Sequence, residues 1–526
     1  MTQVDLKLSL WMFVRKKKNR SGSTSVVVAA KVQGKFKELK TIGVSKDEAE
    51  IERFYQEGKV WCNTQVKGAD LFNQRTQEIE ELNVTDSLLS NIENILHNGS
   101  QLLLNKVYDS IGYDAIDDYI LRQLVISRLA QPMSKSATIE YLKSHFDEDV
   151  HLNKIYRYMD KLYSTQQEAI QKISVEHTRK ILGGRIGLMF YDVTTLYFES
   201  DYGDGFREPG FSKDGKHSQP QIVLGLLVSK DGYPLSYSMF NGSQYEGRTM
   251  IPIVDDFVMR FKLNDFVLVA DSGLINKKNI DFLKAQGYKY IIGARIKNAS
   301  KTQQEWLLSQ EKIEGVYNET TVAHGRLIVG YSEKRAKKDA YNRIKGIGRL
   351  EKAFKTGTIS KENINKRGYN KFLIISKDVQ VTIDKSSVEE DAKWDGLKGY
   401  ITNTDLPAAE VYDQYSSLWQ VERAFRITKG TVEMRPMFHF TPKRIEAHVC
   451  ICFIAYKIYK ELERVLKEKQ YKISADKALD IAKTVTTIRI KLPQSGKTIS
   501  KTMIITERQK LIEPLFSDNF WKSQFG

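Results

Sequence analysis

Long apolar runs are missing from this sequence. The stretch Val449 to Tyr456 falls far short of the roughly 18–20 residues that span a bilayer. Another, Leu8 to Val14, is followed by Arg15-Lys16-Lys17-Lys18. Apolar before basic reverses the order of a signal peptide, so a cytoplasmic protein with no membrane partner is expected. Cysteine is scarce as well. Cys62, Cys450 and Cys452 are too few for a disulfide framework, and the last two lack C-x-x-C spacing. A reducing compartment fits. Ten prolines and 33 glycines exclude a fibrous or low-complexity chain. No G-x-S-x-G, H-E-x-x-H, P-loop or G-x-G-x-x-G pattern occurs. Their absence removes the common nucleophile, zinc and nucleotide signatures.

What is present is length and positive charge. The 526 residues suggest about three or four domains, or one large domain with insertions. An apolar fraction of 41% with 28% charged residues is globular composition. Lys and Arg number 81 against 65 Asp and Glu, a net charge of +16. That points to a polyanionic partner, though charge alone does not separate nucleic acid from an acidic membrane surface.

The pattern changes along the chain. Trp11 to Val14, Ser25 to Val28 and Lys35 to Lys37 read as a small β meander. Ser45-Lys46-Asp47-Glu48 reads as a capping box opening a helix to about Val66. Residues 85 to 182 are mostly helical, broken at Pro132, with Ser134 as the next cap and Ile139, Leu142 and Phe146 on one face. Then come strands at Ile186 to Val193, Gln221 to Ser229 and Leu235 to Phe240, the last two joined by an Asp231-Gly232 turn. A helix (Thr249 to Phe261), a strand (Phe266 to Ala270), a helix (Lys277 to Ala285) and a strand (Tyr290 to Ala294) follow. Three antiparallel-capable strands, then helix, strand, helix, strand, is the order of an RNase H-like α/β core with a mixed five-stranded sheet.

From about 296 to 395 this core is interrupted. Leu327 to Gly330 and Phe372 to Ile375 look like strands around a stretch, Lys334 to Lys371, with 13 Lys or Arg against three acids. Such a run is either a solvated face or a phosphate-binding one. A strand restarts at Gly399 to Thr402, and one helix is expected from Ala408 to about Lys429. A loop at Pro436 to Phe440, a helix from Thr441 to Lys467 and a small α/β segment complete the chain. The expected divisions are therefore 1–66, 85–182, 186–295, 296–395, 396–467 and 468–526.

Three carboxylates stand out by position. Asp192 falls at the polar end of the first apolar strand. Asp271 immediately follows a parallel-type strand, where open α/β sheets place their ligand crevice. Glu422 lies in the helix near Trp419 and Phe425. Singly, each is an ordinary turn, cap or surface acid. Together they can converge on Mg²⁺, which takes hard oxygen ligands and keeps several waters. Two such ions roughly 3.5–4 Å apart activate water or a 3′-hydroxyl and stabilise the leaving oxygen, with no nucleophilic side chain. Tyr415, Glu422 and Lys429 are seven apart each time, so one continuous helix would present all three on one face. A salt-bridged surface helix has the same spacing.

The stretches Y-D-V-T-T-L-Y-F-E (191–199), G-F-S-K-D-G-K (210–216), P-Q-I-V-L-G-L-L-V (220–228), V-A-D-S-G (269–273) and W-Q-V-E-R-A-F-R-I-T-K (419–429) resemble bacterial insertion-sequence transposases of the DDE class, the IS-four-like group. R-P-M-F-H (435–439), R-I-E-A-H-V (444–449) and, more weakly, M-F-V-R-K-K-K (12–18) extend the resemblance over most of the chain. It implies that Asp192, Asp271 and Glu422 are the catalytic, metal-binding triad. It also implies two Mg²⁺ ions (Mn²⁺ substituting), double-stranded DNA with terminal inverted repeats and target DNA as partners, and a homodimer on DNA. A β-rich insertion at 296–395 is implied too. Around the Glu the family shows Y-x2-R-x3-E-x6-K. Tyr415, Glu422 and Lys429 match it, but Leu418 replaces the Arg, leaving Arg423 or Arg426 as substitutes. Tyr415, Lys429 and Arg426 are thus the expected DNA contacts.

Other candidates are His217 and Gln221, near the crevice in sequence. Asp201 and Asp204 are expected turn formers, and Glu199 should face away from Asp192. Arg435, His439, Lys443 and Arg444 are either phosphate contacts or solvated. Two further readings of the whole are an RNase H-like metal-dependent nuclease that does not join strands, and a DNA-binding protein with an inert core.

Overall fold

The computed structural model describes residues 12–32, 35–65, 71–200, 202–274, 276–356, 368–375, 381–493 and 495–522. Leu8 to Trp11, Val66, Asp201 and the 357–367 part of the basic stretch lie outside the described residues. The chain divides into two units, Met1–Ile95 with Ile488–Lys501, and Leu96–Thr487 with Thr502–Gly526.

In the first unit, β1 (Met12–Lys18), β2 (Thr24–Val32) and β3 (Lys35–Ser45) form the expected meander in the order β1-β2-β3. The β-branched run Val26 to Val28 is buried, as a central strand requires. Because β3 reaches Ser45, the following helix α1 (Glu48–Gln65) is capped by Asp47, not by a Ser45 box: Ala49 N donates to Asp47 Oδ1 at 3.0 Å, while Ser45 Oγ accepts from Asp47 N. α2 (Leu71–Ser90) and β4 (Ile92–Leu96) follow.

The second unit starts with five helices: α3 (Gly99–Ile111), α4 (Tyr119–Ala130), α5 (Lys135–Tyr141), α6 (Leu152–Lys161) and α7 (Gln167–Ile181). Ser134 caps α5 as expected, its Oγ accepting from Ala137 N at 3.2 Å. The sheet elements come next: β5 (Leu188–Tyr197), β6 (Gln221–Ser229), β7 (Pro234–Asn241), α8 (Met250–Phe261), β8 (Val267–Ala270), α9 (Lys277–Ala285) and β9 (Lys289–Ala294). β7, β6 and β5 are antiparallel neighbours, and β5, β8 and β9 run parallel. All nine β6 residues are buried, which explains why that strand read as an unbroken apolar run.

The interruption contains α10 (Lys301–Ser309), β10 (Tyr317–Val322), β11 (Gly325–Tyr331), α11 (Glu333–Lys355), β12 (Leu373–Ile375), β13 (Val381–Ile383) and α12 (Lys385–Ala392), before β14 (Leu397–Thr402). Two expectations change here. The sheet has eight strands, not five, in the order β10-β11-β14-β9-β8-β5-β6-β7. β9 would otherwise offer an open edge of unpaired backbone groups; β14 covers it antiparallel and β11 covers β14. The segment is also not β-rich, because much of its basic stretch is the 23-residue helix α11. That helix buries only Arg343, Gly346 and Leu350, a narrow stripe at helical spacing. Arg343 is anchored on Asp395 at 2.6 Å, and the remaining cations of α11 are exposed.

The chain then forms α13 (Ala408–Ser416), α14 (Trp419–Lys429), α15 (Pro442–Glu468), α16 (Ala475–Ala482), β15 (Thr486–Lys491), β16 (Thr498–Met503), α17 (Glu507–Lys510) and α18 (Asp518–Lys522). β16 and β15 pair with β4 in the order β16-β15-β4. α15 is buried over most of its length and packs on α3, α4, α6 and α14. It tolerates Lys457 and Glu461 in that position because both are bonded: Lys457 Nζ donates to Ser174 O and Thr178 Oγ1, and Glu461 accepts from Tyr233 Oη at 2.7 Å and Arg464 Nε at 3.0 Å. Among the described residues, no helix is long and apolar enough to cross a membrane.

Candidate active site

The parallel register between β5 and β8 ends at Tyr191 opposite Ala270. The next residue on each side is an aspartate, Asp192 and Asp271. Asp192 is not at a strand end, as expected, but near the middle of β5. Beyond Tyr191 the strand leaves β8 and continues to Tyr197 paired with β6. β8 ends at Ala270, and Asp271 just beyond it lines a cleft.

Asp192 is largely buried, and its carboxyl is raised to about 6, chiefly by burial and further by the charges of Glu246 and Asp271. Lys213, from the loop between β5 and β6, opposes this. Its Nζ lies 3.5 Å from Asp192 Oδ1 and 3.4 Å from Glu246 Oε1, and donates to Val193 O at 2.7 Å. Asp271 accepts from Tyr415 Oη at 3.0 Å. Tyr415 is buried against Tyr400, with ring centroids 4.7 Å apart, and Lys398 Nζ stands 4.7 Å from its ring centre. Burial and Arg335 lower the Lys398 ammonium, while the carboxylates of Asp271 and Glu422 raise it. Asp271, Tyr415, Lys398, Arg335 and Arg295 line one cleft of about 430 Å³.

The heptad face needs correction. Tyr415 is in α13, whereas Glu422 and Lys429 are in α14. Ser416 Oγ and Ser417 Oγ both bond back to Asp413 O, at 2.7 and 3.1 Å, competing with the helix ladder. Through the joint, backbone bonds run three residues back: Leu418 to Tyr415, Gln420 to Ser417, Val421 to Leu418. This tighter winding breaks the heptad phase. Tyr415 therefore reaches Asp271, Glu422 is exposed at the start of α14, and Lys429 points to another partner.

That partner is Asp214, which accepts from Lys429 at 3.1 Å and pairs with Arg435 at 2.5 Å. Leu418, at the family's Arg position, is buried in the core. Of the two proposed substitutes, Arg423 is committed to Glu463 through both terminal nitrogens. Arg426 is exposed and has no carboxylate partner among the described residues. Trp419 is 48% exposed while Phe425 is buried, so only one of those aromatics packs in the core.

The remaining candidates are largely structural. His217 is exposed and its Nδ1 accepts from Ser212 N. Gln221 is fully buried and clamps the loop by donating to Phe211 O and Gly242 O, each at 3.0 Å. Asp204 holds a turn with Phe206 and Arg207, as expected. Glu199 lies past the end of β5, and Arg444 is paired to Asp160 at 3.1 Å. Sequence reasoning missed Lys213, Asp214, Glu246 and Lys398. The first two lie in G-F-S-K-D-G-K, where a Lys-Asp pair between glycines signals more than a turn; Glu246 and Lys398 carry no local signal.

In kind, the donors suit a hard divalent cation: Asp192 and Asp271 are side by side, and a Lys ammonium neutralises the first. Among the described residues, however, no three His, Cys, Asp or Glu side chains stand close enough together to hold a metal. Two aspartates are in place, and Glu422 is separate from them.

Known proteins resemble the chain at three levels. A curated relative, the transposase of insertion sequence element IS231E from Bacillus thuringiensis subsp. finitimus, is 26% identical over 99 residues. That match covers 17% of this chain and 21% of the relative's length. The solved piggyBac transposase synaptic complex with hairpin DNA superposes with a TM-score of 0.38 at 9% identity, over 81% of this chain and 80% of that one. The family model described as Transposase DDE domain matches residues 184–458, more than half of the 526 residues. That span takes in β5, β8 and α14 with their three acids, and the chain belongs to the DDE-domain family of insertion-sequence transposases.

Proposed function

We propose that this protein is a DNA transposase that cleaves at element ends and transfers the freed strand. The observation that carries the reading is the β5–β8 register, with Asp192 and Asp271 next in line beside a cleft lined by cations. The order β7-β6-β5-β8-β9 within the sheet supports an RNase H-like core, extended by β14, β11 and β10.

In this reading Asp192, Asp271 and Glu422 would hold two Mg²⁺ ions (Mn²⁺ substituting). The ions supply activation of water or of a 3′-hydroxyl and neutralise the leaving oxygen. The protein's own groups do the rest. Tyr415 fixes the Asp271 carboxylate. Lys213 offsets the charge of the buried Asp192 carboxylate. Glu422, exposed at the start of α14, would be the third carboxylate of the set. Lys429, with Arg426, contacts backbone phosphate once DNA displaces Asp214 from Lys429. The N-terminal module (1–66) and helical region (85–182) read the terminal inverted repeats, the 296–395 segment contributes backbone contacts, and a homodimer in the cytoplasm pairs two ends.

The test uses duplexes carrying the element's own ends. Mg²⁺-dependent nicking followed by joining of pre-cleaved ends to target DNA is expected. Cleavage without joining would reduce the protein to a nuclease, and no cleavage with intact end binding would leave a DNA-binding protein.

A further inference from the structure

One small cavity is lined by several basic side chains. About 150 Å³ in volume, it is lined by Arg128, Lys135, Arg435, Phe438, His439 and His448. Arg128, Lys135, His439 and His448 are each no more than 8% exposed. Lys135 Nζ is 3.3 Å from His448 Nδ1, and Arg128 Nη2 donates to Met133 O at 2.8 Å. The two imidazoles are tilted at 52° to one another with centroids 5.2 Å apart. No carboxylate pairs with any of these four among the described residues. Glu433, the acid on the lining, is exposed at the rim. Arg444 is already taken by Asp160.

Burying the charged forms of several basic groups together without a counter-charge is costly. Burial and the neighbouring cations accordingly push Lys135 and His448 well down, and His439 to about 3. An anion entering the cavity would reverse that penalty. Its volume is roughly five times one water's share of the liquid, ample for a tetrahedral oxyanion. The cavity is linked to the candidate active site through side chains: Arg435 on its wall pairs with Asp214, the partner of Lys429 and the chain neighbour of Lys213, which reaches Asp192. At the mouth, Phe438 is 59% exposed, an uncovered ring suited to stacking on a base or sugar.

We propose that this cavity is a phosphate site that seats a backbone phosphodiester of a DNA strand bound at the neighbouring cleft, with Phe438 against the adjoining nucleotide. This rests on the transposase reading for the identity of the strand, but not for the oxyanion chemistry.

Two measurements on the full chain separate these. In the first, thermal melting is followed with inorganic phosphate against chloride at matched ionic strength. Phosphate should raise the wild-type midpoint by roughly 2 °C or more, and Lys135→Met and His439→Gln should each lose that increment. Without phosphate, Lys135→Met should melt no lower than wild type, since burial already disfavours the charged amine there. If Lys135→Met does not fold, His439→Gln carries both measurements. In the second, duplex affinity is measured against salt. Each variant should flatten the log–log slope by about 0.9, one phosphate contact. A phosphate response with an unchanged DNA slope overturns the DNA assignment in favour of a free oxyanion. Neither response overturns the site altogether. A phosphate response in a chain that binds no duplex overturns the transposase reading and leaves an oxyanion pocket.

Discussion

The hydroxyl of Tyr415 donates to the carboxylate of Asp271 at 3.0 Å, and it can do so only because residue 293 has no side chain. A Cβ on Gly293 would lie 2.4 Å from Tyr415 Oη and 3.2 Å from Ser272 N. Tyr415→Phe removes a hydrogen bond to a charged group, about 1.5–3 kcal/mol. End cleavage should fall roughly 10- to 100-fold, with duplex binding retained. Gly293→Ala should show the same loss by displacing the intact hydroxyl. Both are read by nicking assays beside a gel-shift control.

Glu422→Gln and Asp192→Asn should each abolish Mg²⁺-dependent cleavage. End binding should stay within about twofold, because phosphate contacts dominate affinity. Retained cleavage in Glu422→Gln would mean that another acid completes the site, and Glu246, which shares Lys213 with Asp192, would be the first to examine.

Asp192 also predicts a stability profile. Its folded carboxyl titrates near 6, above the ordinary aspartate range, through burial first. The folded chain then holds this proton more tightly than the unfolded chain. Its contribution therefore falls as pH rises from about 4 to 6, and the penalty is complete above that. Asp192→Asn should be more stable than wild type at pH 7.5, by at most about 2–3 kcal/mol. The advantage should vanish near pH 4, and loss of the Lys213 contact will trim it. Urea midpoints at the two pH values check this without any cleavage assay.

Asp214 holds Lys429 and Arg435 in the DNA-free protein. Asp214→Asn should release both for phosphate, steepening the salt dependence of duplex binding and raising affinity about 5- to 10-fold at low salt. Weaker binding would mean that Asp214 orients the two cations rather than masking them.

Much of the fold was legible because its elements follow local rules. β6 spans Gln221–Ser229 and α9 Lys277–Ala285, the bounds that apolar continuity and periodicity predict. The failures were non-local or cooperative. Nothing near Leu397 says that β14 will cover the edge of β9. The single helix expected from Ala408 to Lys429 is split by two serine side chains bonding to one carbonyl, a competition that spacing rules ignore. At the candidate site, the place of Asp271 just past a strand was readable, whereas Asp192 was expected at a strand end and falls inside β5. Lys213, Glu246 and Lys398 were not readable, because they join the site only when distant segments meet, the first two at Asp192 and the third beside Tyr415 and Asp271.

The chain leaves β9 at Ala294, adds β10 and β11 to the far side of the sheet, and returns so that Gly399 pairs with that same residue. A detour of about a hundred residues thus begins and ends at neighbouring lattice points of one ladder. Closing such a loop costs only about 0.6 kcal/mol more for each doubling of its length. Evolution can therefore lengthen, shorten or exchange the parts of this detour outside β10 and β11 while the geometry of the acids stays fixed. The same junction offers an engineer a place to graft a foreign module into a polynucleotide-processing scaffold.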